Sequence, residues 1–101
     1  MIRAIRFLER ADLIGSNAPG GFWISAHDAG GDAAMWFLCP CGCGNRHRIL
    51  IGHRHKPQAS GASWHWDGSE TEPSLHPSVN IVASGACDGW HGWLRDGYWE
   101  A

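Results

Sequence analysis

Cys39-Pro40-Cys41-Gly42-Cys43-Gly44 runs straight into Asn45-Arg46-His47-Arg48-Ile49-Leu50-Ile51, so that a cysteine-rich turn feeds an alternating strand. The turn holds three of the chain's four cysteines at alternate positions, and the fourth, Cys87, is followed by His91. Cysteines one residue apart are poorly placed to bridge each other, because a disulfide accepts only a narrow range of Cα and Cβ separations. Thiolates converging on one soft ion meet no such limit. Zinc takes four S or N donors in a tetrahedron, commonly two from a glycine-rich turn and two from a distant Cys/His pair. The donor set is therefore Cys39, Cys41, Cys43, Cys87 and His91, one more than a tetrahedron needs. A second pairing, Cys43 with His47 and Cys87 with His91, has C-x3-H spacing on both sides, and spacing does not choose between the two. Gly42 and Gly44 are expected to bend the backbone and aim N–H groups at the sulfurs. Reduced structural thiols or a disulfide set form the competing reading. The chain opens MIRAIRFLER with no apolar signal region, so nothing favours an oxidising compartment, and a cytoplasmic location is expected.

In the strand that leaves the turn, expected over Arg46 to His53, side chains two apart share a face. His47, Ile49 and Ile51 point one way, Arg46 and Arg48 the other, which puts His47 on the side to be buried. A satisfied core histidine and a functional one are both compatible with that position. Further strands are expected over Ile2 to Glu9, Phe22 to His27, Ala34 to Cys39, Ser63 to Trp66, Ser78 to Ala83 and Trp93 to Glu100, between turns rich in Gly, Pro and Asp. Arg95-Asp96-Gly97-Tyr98 reads as a tight hairpin, because Asp-Gly favours two-residue turns. Ala11 to Ile14 alone suggests a helical turn, and Asn17 to Gly21 and His55 to Gly61 read as loops. Seven tryptophans and fourteen glycines fit a strand-and-turn architecture. The expectation is one mainly β domain over residues 1–101, an antiparallel sheet and hairpin fold stapled by a Cys/His zinc site, since so short a chain buries a limited core and gains from a metal.

Several function classes fall away on composition. No apolar run approaches the roughly 20 residues of a membrane span. A net charge of -2 argues against a nucleic-acid-seeking polycation. The one basic stretch, Arg46, Arg48, Arg54 and Lys56 with His53 and His55 among them, reads as a solvated edge strand.

Four motifs in fixed order, CPCGCGNRH, W-x-W-D-G-S, P-S-L-x-P-S-V and C-D-G-W-H-G-W-L-R-D-G-Y-W-E, resemble a small bacterial and phage domain family long catalogued as of unknown function. The likeness covers about Met35 to Glu100. Some phage members carry an "ammonia monooxygenase" label, which does not suit a chain with no span and no copper-type histidine cluster. Relatives in bacterial operons for ubiquitin-like conjugation look like serine peptidases that process or remove the ubiquitin-like protein. The resemblance implies a nucleophile at Ser78, in Pro77-Ser78-Val79. Serine needs an adjacent base. His47, inside a matching motif, is the first choice, with His76 and His65 behind it and Asp67 or Asp96 as orienting carboxylates.

Three functions follow as expectations. The first is a peptidase acting on a protein partner, possibly the tail or conjugates of a ubiquitin-like protein, with Ser78 and His47 catalytic and zinc structural. The second makes the metal catalytic, which a cysteine-rich shell disfavours. The third is a non-enzymatic zinc module that binds a protein through its aromatic surface.

Overall fold

The computed structural model describes all of residues 1–101. In chain order the elements are β1 (Ile2–Arg3), α1 (Arg10–Ser16), β2 (Phe22–Ile24), β3 (Asp32–Leu38), β4 (Arg46–His53), β5 (Trp64–Trp66), β6 (Leu75–His76), β7 (Val79–Ile81), β8 (Trp90–Arg95) and β9 (Tyr98–Glu100). They form two sheets, one in the order β1-β9-β8-β7 and one in the order β2-β3-β4-β5-β6. The β-rich expectation holds, and β4 runs over the residues expected of it. Two features differ. The β4–β5 pair is parallel, with Ile51 opposite Trp64, so the larger sheet is mixed. β4 also lies inside that sheet, between β3 and β5, and Arg46 and Arg48 are exposed on its outer face and not along an edge.

The alternation in β4 works as the period of two requires. Ile51 is fully buried, Ile49 packs against the core, and Arg46 and Arg48 face solvent. Across the core Phe37 of β3 stacks on Trp99 of β9, with ring centroids 4.9 Å apart, and this contact joins the two sheets. The buried indole of Trp99 donates to the Gly20 carbonyl at 2.9 Å, so the polar end of a large apolar side chain is satisfied. One cluster of buried residues runs through both sheets and includes Trp66, Leu94, Cys39 and Cys87.

The strand range expected over Trp93 to Glu100 is two strands joined at the expected hairpin, where Asp96 (φ 49°) and Gly97 (φ 81°) form the tight turn that Asp-Gly favours. Helix α1 is longer than the expected turn and buries Leu13. The short β6 was not expected. It pairs with β5 in the larger sheet, and the chain then crosses through Pro77 and Ser78 to begin β7 in the smaller one. Ser78 thus stands where the chain changes sheets.

Candidate functional site

The turn after β3 and the turn between β7 and β8 meet. Cys39, Cys41, Cys43 and Cys87 bring their sulfurs within 4.8 Å of one another. Individual separations are 3.2 Å for Cys39–Cys41, 3.6 Å for Cys41–Cys87 and 3.8 Å for Cys39–Cys87, and all four thiols are free. Four thiolates around a zinc ion at about 2.3 Å would stand about 3.8 Å apart, so the donor set fits such an ion. The Gly42 and Gly44 backbones do take the left-handed conformation, at φ 87° and 86°. Their role is to turn the chain: Gly42 N–H goes to the Cys39 carbonyl, while the N–H groups that reach sulfur belong to Asn45, on Cys43, and Gly89, on Cys87, each at 3.4 Å.

The thiols are electrostatically unequal. Cys41, the exposed one, is lowered to about 7, chiefly by its hydrogen bond with Cys39 and then by Cys43. Burial pushes Cys39 far up. At Cys87 the Gly89 N–H favours the thiolate, but burial and the Cys43 and Cys41 thiols outweigh it and raise the pKa. Crowded sulfurs that cannot all ionise on their own are what a divalent cation resolves.

His91 is not part of that cluster. The three residues between Cys87 and His91 carry the chain out of the turn and into β8, where His91, Trp93 and Arg95 alternate outward and Gly92 and Leu94 are buried. Cys87 faces in and His91 faces out. The imidazole of His91 meets Ser78: Nε2 and Oγ are 3.0 Å apart, within reach for proton transfer. The β7–β8 register, Val79 opposite Gly92 and Asn80 opposite His91, sets that distance. Ser78 is half-buried and His91 exposed, so the pair opens to solvent on the outer face of the smaller sheet.

The other sequence candidates lie elsewhere. His47 stacks on Phe37 at 5.3 Å between centroids, its buried Nε2 has no hydrogen-bond partner in the protein, and burial lowers its pKa. Its strand neighbours are β3 and β5, not β7, so the histidine beside Ser78 is His91 and not His47. His76 stacks on Trp93 at 5.7 Å, and His65 pairs with His76 across β5 and β6. Asp67 accepts the N–H groups of Ser69 and Ser74, and Asp96 accepts the Ser74 hydroxyl, so both carboxylates hold turns together. The C-x3-H spacing of Cys87 and His91 concealed the outward placement of His91. The signal that finds it is the alternation of His91, Trp93 and Arg95, which marks an exposed strand face.

A serine hydrogen-bonded to a histidine is the core of nucleophilic acyl chemistry, and a closed set of four thiolates is the core of a structural metal site. No curated protein and no solved structure matched the chain. A family model described as "bacterial ubiquitination-like system serine protease (BubE)" matches residues 9–101. The chain therefore belongs to the BubE family of serine proteases of bacterial ubiquitination-like systems.

Proposed function

We propose that the protein is a serine protease in which Ser78 is the nucleophile, His91 the general base, and a zinc ion held by Cys39, Cys41, Cys43 and Cys87 is structural. The observation that carries this reading is the 3.0 Å contact between His91 Nε2 and Ser78 Oγ on an accessible face. Ser78 Oγ attacks the carbonyl carbon of the scissile bond, forming a C–O bond while His91 Nε2 takes the hydroxyl proton. Collapse of the tetrahedral intermediate breaks the bond to the leaving amine or alcohol, which receives that proton from His91. Water, deprotonated by the same nitrogen, then releases the acyl group and restores the Ser78 hydroxyl. Four protein thiolates would fill the coordination of the metal and leave no position for substrate, which keeps its part structural. A reducing cytoplasm would hold those thiols available as ligands.

The substrate fits a protein better than a small molecule, because the pair lies open on a sheet face and not inside a cavity. A flexible tail, such as the C-terminus of a ubiquitin-like protein or its bond to a conjugated target, can reach such a surface. A fluorophosphonate probe is expected to label Ser78, and labelling is expected to disappear in Ser78→Ala and to fall steeply in His91→Ala. The same variants should fail to cut a fusion whose junction is the tail of a bacterial ubiquitin-like protein. Labelling that is absent from the folded, metal-loaded protein would exclude the nucleophile and return the chain to a non-enzymatic interaction module.

A further inference from the structure

Beside the Ser78–His91 pair, a cavity of about 260 Å³ opens between β7 and the β4–β5 side of the other sheet. Its wall is formed by Phe37, His47, Ile49, Trp64, Val79 and Ile81. We propose, resting on the protease reading above, that this cavity is the specificity subsite: it takes one medium-sized apolar side chain of an extended substrate, at a position within four residues of the bond that Ser78 attacks.

Four observations lead there. First, the cavity adjoins the strand that Ser78 leads into, although neither Ser78 nor His91 lines it. Val79 and Asn80 follow Ser78 directly, Asn80 lies opposite His91, and the Trp64 indole N–H donates to the Ser78 carbonyl at 3.2 Å. Secondly, β7 is the edge of its sheet and pairs with β8 alone, so a chain laid beside it can extend the sheet through main-chain hydrogen bonds. Alternate side chains of such a strand then point into the adjoining cavity. Thirdly, the cavity is smaller than the roughly 300–1,000 Å³ that hold a whole small molecule, which suits one side chain. Fourthly, six of its ten lining residues are apolar, and of the polar ones His47 is kept uncharged at neutral pH by burial while Arg48, Asn80 and Ser84 complete the wall. A cationic substrate side chain would lose its hydration there and meet only the like charge of Arg48, and an acidic one would find in the exposed, solvent-screened Arg48 a partner too weak to offset that loss. The cavity lining includes Val79 to Val82, one to four residues beyond Ser78, and a strand running along β7 keeps step with them, which fixes the distance to the cut.

The test is a cleavage-site profile on a peptide library made by digesting a denatured proteome, with new termini read by mass spectrometry. The metal-loaded wild-type protein should show one position, within four residues of the cut, enriched in Leu, Ile, Val, Met or Phe. Ile49→Ala should widen that preference towards Trp and Tyr, and Ile49→Phe should shift it towards Ala and Gly. For a peptide preferred by the wild type, kcat/KM should fall about tenfold or more in Ile49→Phe. Cleavage with no apolar preference, or a preference that neither variant moves, would overturn the subsite and leave the nucleophile standing. Fluorophosphonate labelling at Ser78 without cleavage of any library peptide would do the same. Neither labelling nor cleavage would instead overturn the protease reading, and the subsite with it.

Discussion

The β7–β8 hairpin carries two arrangements of opposite character. At its turn, Cys87 is buried and completes a cluster of four sulfurs drawn from two distant segments. Along its strands, Ser78 and His91 meet on the outer face, placed by the hairpin register and by the Trp64 indole that donates to the Ser78 carbonyl. On the proposed reading the first is a fastening and the second is a working surface. The comparison teaches that Cys87 and His91, which share one C-x3-H spacing, divide between the two because the chain turns from loop to strand between them. It also predicts a hierarchy: damage at the fastening should reach the working surface, while damage at the surface should stay there.

The largest expected effect is loss of the metal. Structural zinc contributes about 10–16 kcal/mol of apparent binding free energy, which is as large as the whole stability of an ordinary domain, about 5–15 kcal/mol. A strong chelator, or Cys39→Ser, should therefore abolish the cooperative thermal transition and the cleavage activity together, read by circular dichroism beside an activity assay. Folded, active protein after complete removal of bound metal would break the asymmetry. The converse experiment is next in size. Ser78→Ala and His91→Ala should each lower kcat by at least about a thousandfold, and the double variant should be no worse than either alone, because the two groups act as a unit. The melting temperature and metal content of all three should match the wild type. An additive double variant would mean that the two side chains do not act on one proton.

The fastening was far more legible in the sequence than the working surface. Cys39, Cys41, Cys43 and Cys87 were all among the five donors that spacing offered, because thiolate chemistry constrains which residues can take part, but spacing did not remove His91 from that set. Strand β4 and the Asp96-Gly97 turn were legible for similar reasons, alternation in one case and left-handed backbone in the other. What could not be read was which strands become neighbours. β4 and β7 fall into different sheets, so His47 never meets Ser78, and that outcome depends on the crossover at Pro77-Ser78 and on the unexpected β6. Register then fixes the rest. A shift of one residue between β7 and β8 would send Ser78 or His91 to the opposite face, and no local pattern specifies the pairing.

Smaller effects separate the two sides of the β4 region. His47 is held neutral by burial, with no protein partner for Nε2, so the cost of that orphan polar atom is on the order of 1 kcal/mol. His47→Leu should raise the melting temperature by about 4–8 °C for each kcal/mol recovered in a chain of this length. Because the folded pKa of His47 lies below its unfolded value of 6.5, its contribution is present above pH 6.5 and is lost as the pH falls. The stabilising effect of the substitution should therefore grow on acidification. A variant less stable than the wild type at every pH from 5 to 8 would show that the ring's stacking on Phe37 outweighs its desolvation.

The last and smallest effect runs with the opposite sign. His55 sits just past the end of β4, and its Nε2 lies 2.6 Å from Asp32 Oδ1 at the start of β3, closing the open end of the β3–β4 pair. The hydrogen bond to Asp32 raises the His55 pKa, with help from the His53 carbonyl. A histidine whose folded pKa lies above 6.5 stabilises the fold fully below pH 6.5 and loses that contribution as the pH rises through its folded pKa. Both groups are partly exposed, so solvent and salt screen the interaction and the effect should be slight. His55→Gln should accordingly lower the melting temperature more at pH 5.5 than at pH 8, and raised ionic strength should narrow the difference. An equal loss at both pH values would mean that His55 acts there through packing against Gly52 and Gly31, whose backbones it closely approaches, and that its charge contributes nothing to holding the strand pair closed.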